Sequence, residues 1–149
     1  MSRTVLLWHP PRAMYALVVD VEAYPSFLPW CERAEILERR EDGVTARLSL
    51  RYAGIGQAFT TRNVHDPGRS VRLSLVDGPF STLEGFWLFK PIVLPGGTEA
   101  TACKIEFELR YAFANGVLEA AISPVFDRIA ETFVDSFVKR AGEVHGERR

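Results

Sequence analysis

The side chains that most often do chemistry are scarce in this 149-residue chain, and their spacing assembles no catalytic set. Three histidines (His9, His65, His145) and two cysteines (Cys31, Cys103) lie far apart with no ligand spacing among them, so neither a metal site nor a disulfide framework is expected. Both cysteines sit among apolar residues and read as buried free thiols of a reducing compartment. Glu84, Glu106 and Glu108 alternate with apolar residues and fall on the polar faces of their strands, which leaves no pair of inward carboxylates for acid–base work. No Ser, His and acid set and no glycine-rich phosphate loop stands out. The chemistry left open is binding. Phe59, Thr61 and Asn63 share one face of GQAFTTRNVHD; if Phe59 points inward, two polar groups follow it and need partners, either a ligand carbonyl or a water. The alternative leaves Asn63 at an exposed strand end.

Three further groups could shape a binding site. The stretch YPSFLPWC, residues 24–31, sets Tyr24, Phe27, Leu28 and Trp30 between two prolines, an irregular and rigid path suited to a lid, or to a plug at the end of the core. Leu83, Gly85, Trp87 and Phe89 share a strand face, and a glycine there either opens a slot beside Trp87 or lets the sheet curl around a filled core. Phe126, Ile129, Phe133 and Phe137 recur at steps of three and four, the apolar stripe of a helix that can be core, cavity floor, or both.

The elements that position these residues follow from hydrophobic period. Residues 44–52 alternate Val44, Ala46, Leu48, Leu50 and Tyr52 with polar side chains, as a half-buried antiparallel strand does. Residues 71–75, 83–89 and 103–113 repeat the pattern, the last spanning about ten residues. Turn residues fall between them at Asp42-Gly43, Gly54-Ile55-Gly56, Asp66-Pro67-Gly68, Asp77-Gly78-Pro79 and Pro95-Gly96-Gly97, spelling consecutive hairpins. Before the sheet, a first strand near residues 3–8 leads to Pro10-Pro11, which can open a helix with Met14, Leu17 and Val18 on one face; Pro25 ends regular structure. After Asn115-Gly116, an amphipathic helix of about 25 residues runs from Leu118 to Ala141, with Pro124 expected to bend it near Ile122.

Composition bounds the whole. A chain this long buries roughly 70% of its unfolded surface, enough for one core and one domain over residues 1–149. It is 47% hydrophobic and 25% charged, an ordinary globular balance. A net charge of -1, from 18 Lys and Arg against 19 Asp and Glu, argues against DNA and against affinity resting on a phosphate backbone. Arg47, Arg51 and Arg62 could still form a basic stripe if their strands pair, and Arg148 and Arg149 end the chain. The apolar run Val5, Leu6, Leu7 and Trp8 is cut short by His9-Pro10-Pro11, so no signal-peptide core forms, and no stretch reaches the ~18 apolar residues of a membrane span. A cytoplasmic protein is expected, with peripheral contact at the inner membrane open to it.

The stretches YPSFLPWC (24–31), DGPFSTLEGFWLF (77–89), CKIEFELRYAFAN (103–115) and FVDSFVKRA (133–141) together resemble the coenzyme Q-binding START-like family of the polyketide cyclase/dehydrase and lipid transport superfamily, which includes bacterial ribosome association toxins. The resemblance implies an α+β helix-grip fold, in which a curved antiparallel sheet of six to seven strands wraps a long C-terminal helix, with two short helices after the first strand. It also implies a hydrophobic tunnel for ubiquinone or another polyprenyl lipid, no resident cofactor, no enzymatic activity, and a role in respiration. For the toxin branch it implies binding to the large ribosomal subunit and a block on subunit joining; cyclase- or dehydratase-type catalysis is the more distant alternative. The site residues expected from the groups above are Tyr24, Phe27, Leu28, Trp30, Phe59, Asn63, Leu83, Trp87, Phe89, Phe126, Ile129, Phe133 and Phe137.

Overall fold

The computed structural model describes residues 1–146; Arg148 and Arg149, read above as basic ends, lie outside them. The elements run β1 (Ser2–Leu7), α1 (Pro11–Val19), a 3-10 helix (Val21–Ser26), β2 (Cys31–Arg40), β3 (Gly43–Tyr52), β4 (Ile55–Asp66), β5 (Ser70–Asp77), β6 (Phe80–Val93), β7 (Ala100–Phe113) and α2 (Gly116–His145). All pairings are antiparallel, and the seven strands lie in the order β1-β7-β6-β5-β4-β3-β2. Six consecutive hairpin-linked strands thus form a meander, and β1 returns to pair with the last of them. This is the curved sheet and long C-terminal helix expected from the sequence. Of the two short helices, the first is α-helical with Pro11 in its first turn, and the second, with Pro25 inside it, is a 3-10 helix.

Local chemistry sets most boundaries. The Asn115 side-chain oxygen accepts a hydrogen bond from the Leu118 N–H at 2.9 Å, an N-cap that satisfies one orphan donor of α2. From there α2 runs 30 residues, longer than its apolar pattern suggested, and it is helical without interruption across Ile122 and Pro124. Its buried stripe is Ile122, Val125, Phe126, Ile129, Ala130, Val134, Phe137 and Ala141, and that stripe lies on the concave face of the sheet. The β3–β4 hairpin turns on Ala53 and Gly54, both with positive φ, as a two-residue turn matching the sheet's twist requires.

The largest fully buried side chains gather between the sheet, the short helices and α2. Trp87, Phe89, Phe107, Phe137, Met14 and Leu28 are fully buried. Trp87 meets Phe107 at 4.5 Å and Phe133 at 5.6 Å with tilted rings and Phe137 edge-on at 5.2 Å between ring centroids, and aromatic pairs contribute about 0.5–1.5 kcal/mol each beyond area burial.

Two irregularities aim β4. Between Leu75 and Asp77, β5 carries one extra residue opposite Thr60 and Thr61, a bulge that sharpens the local twist. At the other end, Gly43 adopts φ +153°, and a Cβ there would lie 1.9 Å from the Asn63 carbonyl oxygen; only glycine lets β3 approach β4 so closely. Gly43→Ala is therefore expected to destabilise the fold by about 3 kcal/mol in urea denaturation. Gly54→Ala, also at positive φ but in open space, should cost only about 1 kcal/mol.

Candidate functional site

A cavity of ≈70 Å³ lies between α2 and the concave face of the sheet. Its floor is Phe126, Ile129, Ala130 and Phe133 of α2; its walls are Ala46 and Leu48 of β3, Phe59, Thr61 and Asn63 of β4, Leu73 of β5, Leu83 and Gly85 of β6, and Phe107 and Leu109 of β7. Val21 and Tyr24 of the 3-10 helix and Trp30, just before β2, close one end. The gap has two causes. Small residues from three elements, Ala46, Gly85 and Ala130, face one another across it, and Leu73 leans over Gly85, where an added Cβ would come within 2.9 Å of its Cδ1. In addition, α1 packs chiefly on α2 and on β5, β6 and β7, so it covers one end of the groove, and the end toward β3 and β4 is covered by Val21, Tyr24 and Trp30.

Of the residues expected at the site, Tyr24, Trp30, Phe59, Asn63, Leu83, Phe126, Ile129 and Phe133 line this cavity, and Phe27, Leu28, Trp87, Phe89 and Phe137 do not. Trp87 and Phe89 do face inward, but they lie further along β6, under α1: Phe89 meets Tyr15 edge-on at 6.0 Å. Phe137 sits one turn past Phe133 and packs into the same solid region. Leu28 is wholly buried. Phe27 is half-buried outside the cavity, edge-on to Tyr24 and Phe137 and beneath the Arg140 guanidinium at 5.3 Å. YPSFLPWC therefore divides: Tyr24 and Trp30 are cavity wall, whereas Phe27 and Leu28 plug the core. Val21, Ala46, Leu48, Leu73, Phe107, Leu109 and Ala130 also form the wall, and no sequence pattern separated them from ordinary core positions of the same faces.

Polar groups in this apolar space are few. Thr61 and Asn63 are both buried, correcting the picture of Asn63 at an exposed strand end, and the Thr61 hydroxyl donates to Asn63 Oδ1 at 2.7 Å. Tyr24 is buried, and its hydroxyl donates to the Val18 carbonyl oxygen; burial raises its pKa far above that of free tyrosine. The Trp30 indole N–H is buried without a hydrogen-bond partner. Cys31 and Cys103 are free and buried, and burial pushes both thiols up to about 11. His9 and His145 approach with ring centroids 5.9 Å apart, but among the described residues no group of three or more His, Cys, Asp or Glu could hold a metal ion. Glu84 and Glu108 are exposed. Glu106 lies between Lys90 and Lys104, at 3.1 and 3.6 Å, and the Lys90 hydrogen bond above all holds its carboxyl below the usual range. The arrangement can hold an apolar molecule by shape and a polar head by hydrogen bonds.

On the convex face, the register sets Arg47 opposite Thr60, Arg62 opposite Thr45 and Ser74, and Arg72 opposite Val64 and Phe86. Arg72 lies 4.5 Å from the Phe86 ring centroid, Arg62 pairs with Asp42 at 3.6 Å, and Arg51 is held by Glu32. Among the described residues no helix is long and apolar enough to cross a membrane.

Residues 7–138 match the family described as polyketide cyclase / dehydrase and lipid transport. The chain is 40% identical over 145 residues to the ribosome association toxin RatA of Pseudomonas aeruginosa, covering 97% of this chain and 96% of that protein. It is 29% identical over 146 residues to the mitochondrial coenzyme Q-binding protein COQ10 homolog B of Xenopus laevis, covering 97% of this chain and 59% of that one. Among solved structures, a START superfamily protein from Mycobacterium smegmatis superposes with a TM-score of 0.77 at 19% identity, covering 97% of each chain. A Streptomyces aromatase/cyclase superposes with 0.80 at 17% identity, covering 99% of this chain and 98% of that one.

A thiol with a pKa of about 11 is ionised to about one part in a thousand near pH 8, and burial hinders reagents further. Iodoacetamide should therefore leave native Cys31 and Cys103 unmodified over hours by intact-protein mass spectrometry, and alkylate both at once in guanidinium.

Proposed function

The chain belongs to the polyketide cyclase / dehydrase and lipid transport family as a START-like member, and from that membership we propose that it is a non-catalytic binder of a hydrophobic molecule, ubiquinone or a related polyprenyl lipid, serving respiratory electron transport. The observation that carries this reading is an apolar, aromatic-lined cavity holding one buried polar pair, Thr61 and Asn63. Ligand sites combine these features, with apolar walls for affinity and a few fixed polar groups for orientation. At ≈70 Å³ the cavity is well below the ~300 Å³ at which ligand pockets begin. Entry therefore requires the half-buried wall residues Leu48, Phe59, Leu73 and Phe133 to part on the side that α1 leaves uncovered. No acid–base pair faces the space among the described residues, which favours holding a ligand over converting it. The working place is the cytoplasm and the membrane surface from which such a lipid is taken.

Similarity to the ribosome association toxin over nearly the whole chain favours a second reading, association with the large ribosomal subunit and a block on subunit joining. The convex-face arginines supply the chemistry: Arg47 and Arg72 have no ion pair among the described residues, so both can meet RNA phosphate. The two readings use opposite faces of the sheet and are separable.

Organic extraction of the purified protein followed by mass spectrometry should release a polyprenyl quinone. Ala130→Leu, which pushes further carbons into the cavity, should abolish that yield with the melting temperature held within a few degrees. An extract free of lipid, from protein that co-sediments with large ribosomal subunits in a salt-sensitive way, would overturn the carrier reading. In that case Arg47→Glu and Arg72→Glu should each weaken co-sedimentation and lower the salt slope by roughly 1.

A further inference from the structure

β6 and β7 outrun the rest of the sheet. β5 pairs with β6 only as far as Leu88, and the last link is the Phe89 N–H, donated to the Arg69 carbonyl oxygen at 2.8 Å. From Lys90 to Val93 the only strand beside β6 is β7, and at ~3.3 Å per residue the hairpin projects roughly 13 Å past that point. Successive N–H groups of a strand point to opposite edges. The edge that Phe89 turns to β5 is therefore next reached by Pro91, which has no N–H to offer, and a proline there keeps a further strand from adding to the projecting edge.

Apolar side chains gather at this corner. Val93 and Leu94 at the tip are 52% and 37% exposed, and Leu6 and Trp8 at the end of β1 are 69% and 51% exposed. The register brings the two groups together: Leu6, Lys104 and Lys90 form one row across β1, β7 and β6, and two residues on, Ala102 pairs with Ile92 where Trp8 follows β1. The rim is cationic. Lys90 and Lys104 share a single carboxylate, Glu106, at 3.1 and 3.6 Å. Arg12, in the first turn of α1, has no ion pair among the described residues, and Glu99 is the one acid in the hairpin turn.

We propose that this corner, the β6–β7 tip with Leu6 and Trp8, is a docking surface for a lipid bilayer, with the apolar tip in the interfacial layer and Lys90, Lys104 and Arg12 turned to anionic headgroups. The proposal goes beyond the quinone reading and does not depend on what the cavity holds. A projecting apolar tip suits a fluid surface, which deforms around it, better than the flat face of another protein. Tryptophan favours the layer between headgroups and acyl chains, and lysine lays its stem along an apolar surface while its ammonium stays among headgroups. Three cations against two carboxylates give the corner a positive balance in a chain whose net charge is -1, and each excess cation favours an anionic surface. Pro91 removes the other common use of a projecting hairpin, pairing along its edge with a second copy.

The test uses the full chain with two kinds of vesicle, phosphatidylcholine alone and phosphatidylcholine mixed with phosphatidylglycerol, both free of quinone, read by co-sedimentation and tryptophan fluorescence. The protein should bind both and prefer the anionic vesicles by about fivefold at low salt, the effect of one excess charge. Trp30 and Trp87 are buried, so quenching by lipids brominated high on the acyl chain should report Trp8. Trp8→Ser and Leu94→Ser should each weaken binding to both vesicles by about tenfold, and Lys90→Gln should erase most of the anionic preference. Val117→Ser, at the start of α2 and the far end of β7, should leave binding unchanged. All four side chains are exposed, so melting temperatures should hold. No partition into either vesicle, an equal loss in Val117→Ser, binding that Trp8→Ser and Leu94→Ser leave intact, or a dimer that those two substitutions dissociate would overturn the proposal. Each of those outcomes leaves the quinone reading standing, since the substituted side chains lie outside the cavity; an extract without lipid would remove that reading and leave docking intact.

Discussion

A curved antiparallel sheet with an apolar concave face is unstable until something fills the curve, and here one helix does so. α2 is tied to the sheet by chain only at Asn115, where the cap to Leu118 sets its starting angle. Beyond that point its position depends on side-chain packing, chiefly Phe126, Phe133 and Phe137 against Trp87, Phe107 and Tyr111. The same side chains hold the helix and bound the space beside it. Stability and binding are therefore decided at one interface, and a residue such as Phe133 cannot be assigned wholly to either.

The interface is filled unevenly. Under α1 it is solid, with Met14, Val18, Trp87, Phe89 and Ile105 all but inaccessible. Beyond the reach of α1, only the 3-10 helix and the Trp30 segment cover the groove, and small residues on facing elements leave a gap. A short helix that stops at Val19 thus does as much to create a site as the residues that line it. The covering segment passes from the 3-10 helix that holds Pro25 into a short irregular stretch at Pro29, and Tyr24 and Trp30 turn toward the cavity while Phe27 turns away to the end of α2. The stretch is wall and plug at once because its irregular backbone sends successive aromatics in different directions.

The two faces of the sheet are chemically independent. Alternation of side chains means that Thr61 and Asn63 point inward while Arg62 between them points out. A change on one face of β4 therefore has little direct effect on the other, and a single strand carries an apolar cavity wall inside and a charged surface outside. Relatives of this chain bear names as different as a ribosome association toxin and a coenzyme Q-binding protein.

The sequence by itself determined the elements and their order, because each rests on information local to the chain: the period-2 alternation of 44–52 and 103–113, the break at Asn115-Gly116, the three-and-four stripe of α2, and the glycine- and proline-bearing turns. It also determined which faces turn inward, and so made Phe59, Leu83, Phe126 and Phe133 legible as inward-facing. Only the tertiary structure decided how far along each inward face the packing is complete. Leu83 and Phe89 lie on the same face of one strand, and nothing in their surroundings in sequence says that α1 covers one and spares the other. The burial of Asn63 was likewise undecidable from its own strand, because it depends on Gly43 of the neighbouring strand meeting its carbonyl and on α2 lying across it. Period tells a residue which side it is on; a cavity is a property of what lies opposite, and that is set by contacts between residues distant in the chain.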